Sequence, residues 1–235
     1  MNNALLLKNI LVSRRDGKGL RTILDIPEFR LHAGDTACLH GASGSGKTSL
    51  LHLLSGLTVP DIPEAGLSGG EVRWGDVCIG ELSESRRDLW RSRHIGLIFQ
   101  DFQLFPGLSA LENVLLPATF RNWRIPSNLR ERARILLKQM EIHQENQQVR
   151  SLSRGEMQRV AIARAVLFEP DILLADEPTA SLDKENAETV TRLLLDYARD
   201  HSCTLLLVSH EPGMRMRTRR SFLLDRGKLR ETTST

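Results

Sequence analysis

The sequence predicts an α/β fold in which a parallel sheet is covered by helices on both faces. Short, wholly apolar runs such as residues 172–175 and 204–209 alternate with longer segments of helical periodicity, which is the order typical of such sheets. The N-terminal residues instead alternate between apolar and polar side chains, as in an antiparallel hairpin. We therefore expect one domain, with residues 1–84 and 156–235 as its α/β core and 85–155 as a helical insertion.

The hairpin is expected to open the chain. Its strands are predicted at residues 4–12 and 22–31, and the basic, glycine-containing segment 13–19 is predicted as the loop between them. A strand at 36–40 and a glycine-rich turn then lead into a helix over 47–57, whose leucines recur at helical spacing. Strand, loop and helix should follow one another directly here.

The remaining elements are predicted from the same two periodicities. Further strands are expected at 71–79 (two strands about the turn Trp74-Gly75-Asp76), 95–99, 172–175, 204–209 and 221–225, and further helices at 155–168 and 185–200. Residues 109–141 predict helices that are interrupted near Pro117 and Pro126. Residues 139–150 are polar and predict a loop.

Composition limits the classes of function. The 235 residues include 32 Lys or Arg and 29 Asp or Glu, a formal net charge of only +3, which does not indicate a nucleic-acid binder. No window is apolar over the roughly 18 residues that a membrane span requires, and the N-terminus lacks the layout of a secretion signal. We expect a cytoplasmic protein with no membrane span. Cys38, Cys78 and Cys203 share no metal-binding spacing, which favours buried free thiols.

A phosphate-binding loop is predicted at residues 41–48. They read Gly-Ala-Ser-Gly-Ser-Gly-Lys-Thr and match G-x-x-x-x-G-K-[ST] between a predicted strand and a predicted helix. Lys47 would neutralise phosphate oxygens and Thr48 would ligate Mg²⁺. The alternative is a glycine-rich turn that precedes a lysine by chance. The residues expected to bind the nucleotide here are Gly41, Ala42, Ser43, Gly44, Ser45, Gly46, Lys47, Thr48 and Ser49.

Two acidic residues follow the apolar strand at 172–175. Asp176 is expected at the carboxyl end of that strand, where ligands bind in open α/β sheets, and would hold Mg²⁺ through water. Glu177 is the candidate base that orients or deprotonates the attacking water. The alternative is a solvated acidic loop after a core strand.

The run Leu-Ser-Arg-Gly-Glu-Met-Gln-Arg over residues 152–159 resembles the signature of ATP-binding cassette (ABC) ATPases. The resemblance implies a P-loop NTPase (RecA-like) core, an N-terminal antiparallel β subdomain and an inserted α-helical subdomain. It also implies that Ser153, Gly155 and Glu156 meet the γ-phosphate bound by another subunit, so that a homodimer encloses two ATP molecules. The family usually has Gly at the position of Arg154 and Gln at that of Glu156.

Other family landmarks follow in order. Gln100 resembles the Q-loop glutamine, which contacts Mg²⁺ and the attacking water. Asp183 resembles the D-loop aspartate, and His210 the switch histidine that reaches the γ-phosphate. Glu177, His210, Gln100 and Lys47 are the implied catalytic residues. Residues 67–71 look like a second signature core but precede a strand hairpin, so we interpret them as a loop.

Residues 102–114 and 175–183 look like the lipoprotein-release and macrolide-export ATPases. That subgroup implies hydrolysis of ATP to ADP and phosphate, coupled to an integral membrane permease, with the ATPase peripheral on the cytoplasmic face of the inner membrane. Residues 102–106 would help form the groove that receives a cytoplasmic helix of the permease. Packing within the helical subdomain is the alternative for these residues.

Two other functions compete. A soluble ABC ATPase acting on DNA or ribosomes would usually carry a long coiled coil, zinc cysteines or two cassettes, and the sequence has a single phosphate loop. A small-molecule kinase would leave the signature, Asp183 and His210 unexplained.

The adenine contact departs from the family. ABC ATPases usually stack adenine on an aromatic residue after the first strand, but Val12-Ser13-Arg14-Arg15-Asp16-Gly17 contains none. A guanidinium plane can stack on a π-face. We expect Arg15, or failing that Arg14, to replace the aromatic; the alternative is that both are solvated or contact lipid or the permease.

Overall fold

The computed structural model describes residues 4–15, 17, 19–61, 69–121 and 124–232. These residues form two sheets flanked by helices, as expected for the predicted α/β fold. Residues 62–68, which include part of the second signature-like run, lie outside the described residues.

The first sheet contains the N-terminal hairpin. Strands β1 (Leu5–Arg15) and β2 (Leu20–Leu31) pair antiparallel, with a bulge between Val12 and Ser13. The predicted loop at 13–19 was too long, because cross-strand pairs continue beyond the bulge to the end of β1. Two short strands complete the order β2-β1-β4-β5, namely β4 (Glu71–Trp74) and β5 (Val77–Cys78).

The second sheet has the order β10-β9-β3-β8-β7-β6. Its strands pair in parallel, except that the edge strand β10 pairs antiparallel with β9. Its strands are β3 (Thr36–His40), β6 (Ile95–Ile98), β7 (Ile172–Asp176), β8 (Thr204–Val208), β9 (Arg220–Asp225) and β10 (Lys228–Thr232). The sequence did not predict β10, whose exposed edge position leaves only a weak apolar pattern. Strand β6 belongs to this sheet although it lies within the predicted insertion.

Seven α-helices lie within the described residues: α1 (Lys47–Leu54), α2 (Glu84–His94), α3 (Ala110–Thr119), α4 (Ser127–Gln139), α5 (Arg154–Ala165), α6 (Lys184–Asp200) and α7 (Pro212–Arg217). Helices α2 and α7 were not predicted. Helix α1 ends earlier than expected because a Schellman motif terminates it. Gly56 adopts φ +67°, the Gly56 amide donates to the Leu53 carbonyl, and the Leu57 amide donates to the His52 carbonyl. Pro117 lies inside α3, which ends two residues later, and α4 begins directly after Pro126. The helices are therefore interrupted near both prolines, as expected.

Both faces of the second sheet are buried. Leu174 and Leu206 face the core shared with α1 and the first sheet, whereas Leu173 and Leu205 face the core shared with helices α3 to α6. Neighbouring residues of one strand thus point to opposite sides. Among the described residues, no helix combines the length and apolar character needed to cross a bilayer.

Candidate nucleotide site

The predicted phosphate loop connects β3 directly to α1. Gly41, Gly44 and Gly46 have φ angles of 153°, 74° and 108°, and Gly46 is the N-cap of α1. A Cβ on Gly41 would lie 2.2 Å from the Leu224 carbonyl oxygen, and one on Gly46 would lie 2.9 Å from that of Ile23. Only glycine fits this close approach to two neighbouring strands.

The Lys47 side chain stabilises the phosphate loop by hydrogen bonds to its backbone. Its Nζ donates to the carbonyl oxygens of Gly41 at 2.9 Å and Ala42 at 3.0 Å, and the residue is buried. Ser45 Oγ is buried without a hydrogen-bond partner in the described part of the chain. A buried hydroxyl in a curl of backbone amides at a helix N-terminus fits an anionic ligand. Ala42, Ser43 and Gly44 are exposed in this loop, and Ser49 is half-buried.

Thr48 and Asp176 meet across the sheet edge. Thr48 Oγ1 donates to Asp176 Oδ2 at 2.8 Å. Thr48 lies in the first turn of α1, and Asp176 ends β7. Both lie at the carboxyl end of a parallel strand, β3 through the phosphate loop for Thr48 and β7 for Asp176, and the carboxyl ends of parallel strands share one edge of the sheet. Hydroxyl and carboxylate oxygens are the donors that Mg²⁺ prefers.

Glu177 and His210 form the second pair at this edge. His210 Nε2 lies 2.9 Å from Glu177 Oε1, and the Glu177 side chain is the more buried of the two. Glu177 has φ 46°, and its amide donates to the Val208 carbonyl at 3.1 Å. A left-handed backbone at a non-glycine residue is unfavourable and is common at functional sites.

Two predicted residues make no hydrogen bond to these pairs within the described part of the chain. Gln100 is exposed in the turn after β6 and, within the residues that the structure describes, hydrogen-bonds to neither pair. Arg15 is exposed at the end of β1, opposite Leu20. Its hairpin does approach the phosphate loop, because Ile23 borders Gly46.

The signature-like run begins helix α5 with a capping box. Ser153 is the N-cap; its backbone amide and Oγ donate to Glu156 Oε2 at 2.8 and 2.7 Å, and its Oγ accepts from the Glu156 amide. The side-chain hydrogen bond from Ser153, with the backbone one, lowers the pKa of Glu156. The motif Ser-x-x-Glu is the sequence signal of this cap, and sequence reasoning did not use it.

Asp183 joins the signature helix through a residue that sequence reasoning missed. Asp183 caps α6 and accepts from the backbone amide of Asn186 at 2.9 Å and from its Nδ2 at 2.8 Å, which lowers the pKa of Asp183. Asn186 Oδ1 in turn accepts from Arg159 of α5 at 3.0 Å. Gly155 packs so closely that a Cβ there would lie 2.1 Å from Asn186 Oδ1.

The predicted site residues other than Gln100 and Arg15 therefore form two groups. One comprises the phosphate loop, Asp176, Glu177 and His210; the other comprises the start of α5 and Asp183. No side-chain hydrogen bond between described residues links the two groups.

A cavity of about 1000 Å³ lies between α2, β6, α3 and α5. Its lining includes Phe99, Phe105, Phe120, Phe168, Arg93 and Arg121. Phe105 and Phe120 are 55% and 84% exposed, whereas Phe102 is buried outside the cavity lining. Burial, aided by the charge of Arg93, lowers the pKa of Arg121. Phe105 thus lines a cavity, as the predicted groove requires, whereas Phe102 packs within the subdomain; reception of a permease helix stays a prediction.

Comparison with known proteins gives consistent results. Residues 24–180 match the family model described as ABC transporter. The lipoprotein-releasing system ATP-binding protein LolD of Chromohalobacter salexigens is 38% identical over 98% of this chain and 95% of its own. The uncharacterized ABC transporter ATP-binding protein YbbA of Escherichia coli is 39% identical over 89% of each chain.

A solved structure has the same fold. The ATP-binding cassette MJ0796, in a dimeric post-hydrolysis state bound to ADP and Pi, superimposes with a TM-score of 0.87 and 32% identity. The alignment covers 98% of this chain and 99% of that one. The extent of these matches confirms the resemblance: the chain belongs to the ABC transporter family and is one of its ATP-binding, ATP-hydrolysing cassettes.

Proposed function

We propose that this cassette drives a separate integral membrane permease, in the manner of the lipoprotein-releasing and related transporters. The observation that carries the proposal is the apolar cavity rimmed by Arg93 and Arg121, in a chain that aligns over nearly its whole length with LolD proteins. Phe105 and Phe120 are exposed, and neither Arg93 nor Arg121 forms a salt bridge within the described residues, although the Arg121 guanidinium lies 3.8 Å from the Phe168 ring centroid. Such a surface suits a partner helix with apolar and acidic residues. The cassette would then lie on the cytoplasmic face of the membrane that holds the permease.

The phosphates of ATP are proposed to bind the curl of residues 41–49. The loop amides and the buried Ser45 hydroxyl supply donors, and Lys47 supplies the positive charge. Arg15 is proposed to stack on adenine, because it is exposed at the end of the hairpin that borders this loop.

Mg²⁺ is proposed to be held by Thr48 and Asp176, with Gln100 as a further ligand when its loop closes. The residues fit the ion, because Thr48 and Asp176 place two oxygen donors within 2.8 Å of each other, and Mg²⁺ sites at phosphates commonly use only one or two protein ligands. Bound Mg²⁺ would offset the negative charge on the phosphate oxygens.

Glu177 is proposed to orient and deprotonate the attacking water, while His210 and Lys47 contact the γ-phosphate. The 2.9 Å contact with His210 holds the carboxylate at the carboxyl edge of the sheet. From there Glu177 accepts the water proton as the new P–O bond forms and the bond to the ADP oxygen breaks.

The second group of residues is proposed to act on the partner subunit's nucleotide. Ser153, Gly155, Glu156 and Asp183 lie together at the starts of α5 and α6, without a side-chain hydrogen bond to the phosphate-loop group within the described residues. A helix N-terminus suits a phosphate, and the similar cassette MJ0796 is dimeric. A homodimer would therefore complete two sites, each enclosing one ATP.

Purification from native membranes tests the transport role. Tagged protein from detergent-solubilised membranes should retain an integral membrane partner, and Phe105→Asp with Phe120→Asp should release it without changing ATP affinity. Ile135→Asp is the matched control, since Ile135 is exposed on α4 away from the cavity. Nucleic acid or ribosomes in place of a membrane protein would instead favour a soluble ABC ATPase.

A further inference from the structure

Arg154 occupies an unusual place for a cation. It is the first residue of α5, immediately after the N-cap Ser153. The amide dipoles of a helix disfavour a positive charge at its N-terminus. Arg154 is exposed, so this cost is small, and contacts beyond its own helix can offset it.

Arg154 makes two such contacts, each to a different functional loop. Its Nε donates to the Ser181 carbonyl, two residues before Asp183, at 3.2 Å. Its Cζ lies 5.3 Å from the ring centroid of Phe102, within the range of a cation–π interaction. Phe102 is two residues after Gln100. The Arg154 side chain therefore contacts both the loop that carries Gln100 and the loop that carries Asp183.

The Phe102 segment combines backbone hydrogen bonds of its own with contacts from α5. The amides of Phe102 and Gln103 donate to the carbonyl oxygens of Phe99 and Asp101. Phe102 and Gln103 have φ angles of 58° and 51°, a strained left-handed backbone for non-glycine residues. Arg164, in the last turn of α5, donates to the carbonyl oxygens of both residues. Helix α5 thus contacts this loop through one arginine at each end. Of these two arginines, Arg154 also hydrogen-bonds to Ser181 among the described residues.

We propose that Arg154 is a positioning residue that fixes the start of α5 to the loops of Gln100 and Asp183, so that the three move as one unit during hydrolysis. The inference rests on the proposed roles of these loops. The guanidinium performs this role through a directed N–H donor and a planar face, which glycine lacks entirely and lysine only partly reproduces.

Steady-state ATPase kinetics of Arg154→Gly, Arg154→Lys and Phe102→Leu, singly and combined, test this role. Arg154→Gly should lower kcat roughly three- to tenfold with unchanged KM and monomer ATP affinity, since correct positioning matters most in the transition state. Arg154→Lys should recover part of the loss. Arg150→Gln is the control and should have no effect, because Arg150 is an exposed arginine four residues earlier.

The double variant distinguishes positioning from direct phosphate binding. If Arg154 acts through Phe102, Arg154→Gly with Phe102→Leu should lose little more than one single change. Fully additive losses, or a raised KM with normal kcat, would overturn the inference in favour of a direct contact with the partner's nucleotide. Unchanged kcat in Arg154→Gly would also overturn it, and Glu177→Gln measured alongside shows separately whether the proposed function holds.

Discussion

His210 Nε2 lies 2.9 Å from Glu177 Oε1. This contact joins Glu177, which follows β7, to His210, which follows β8. These strands are adjacent and parallel, so their carboxyl ends bring an acid from one and an imidazole from the other to one point. The Glu177 backbone is also fixed by its hydrogen bond to Val208. The candidate base is thus oriented by strand pairing as well as by its partner side chain.

Lys47→Ala should weaken ATP binding itself. The change removes the charge proposed to neutralise the phosphates and also the two hydrogen bonds that Lys47 donates to the carbonyl oxygens of Gly41 and Ala42. A hydrogen bond to a charged group contributes about 1.5–3 kcal/mol, so affinity should fall roughly 10- to 100-fold. Isothermal titration calorimetry measures it, with the exposed Lys138→Ala as control; equal affinities would count against the phosphate-loop assignment.

Ser153→Arg should abolish hydrolysis while each subunit still binds ATP. The arginine side chain, which is larger than that of serine, would fill the space proposed for the γ-phosphate of the ATP bound by the partner subunit. Loss of the N-cap would cost only about 1 kcal/mol of stability, so the subunit should remain folded. ATPase assays and ATP titrations should separate the two effects, with the exposed Ser151→Arg as control. Full activity would favour a monomeric mechanism.

Arg15→Ala should weaken ATP binding, and Arg15→Tyr should restore it. Stacking of a guanidinium or phenol on adenine contributes about 0.5–2 kcal/mol, a change of roughly 2- to 30-fold. Because stacking reads no base edge, ATP and GTP should bind about equally well. Arg21→Ala is the control, from an exposed arginine on the facing strand. Equal affinities for wild type, Ala and Tyr would exclude stacking by Arg15.

Gln158→Met should leave stability unchanged or raise it by about 1 kcal/mol. Gln158 is fully buried in α5, and neither side-chain amide atom has a protein hydrogen-bond partner among the described residues. Thr191→Val is the contrasting control, because the Thr191 hydroxyl donates to the Ala187 carbonyl at 2.7 Å, and losing that bond should cost about 1 kcal/mol. Urea unfolding compares the two; marked destabilisation by Gln158→Met would show that the amide is satisfied.

The phosphate loop and the core strands could be predicted because their signals are local. Four wholly apolar residues before Asp176 can only be a buried strand or a short buried helix segment, and their length decides for the strand. Glycines at 41, 44 and 46 likewise mark the loop directly in the sequence.

Features that depend on tertiary contacts could not be predicted. Helix α2 has no buried residue, so its apolar periodicity is weak; Arg91 instead attaches it by donating to the Ser55 carbonyl at 3.1 Å. The sequence also gives no signal for the hydrogen bonds from Arg154 to Ser181 and from Arg159 to Asn186, because the two residues of each pair are 27 positions apart along the chain. The roles of all predicted site residues, Gln100 and Arg15 included, remain predictions.

Glu177→Gln tests the central claim most directly, in ATPase and dimerisation assays with Glu188→Gln, an exposed carboxylate on α6, as control. The change keeps the phosphate loop and the Thr48–Asp176 pair but removes the proposed base. We expect normal ATP affinity, turnover lowered roughly 100-fold or more, and accumulation of an ATP-bound dimer. Near-normal hydrolysis by a variant that still binds ATP would contradict the assignment of Glu177 as the base.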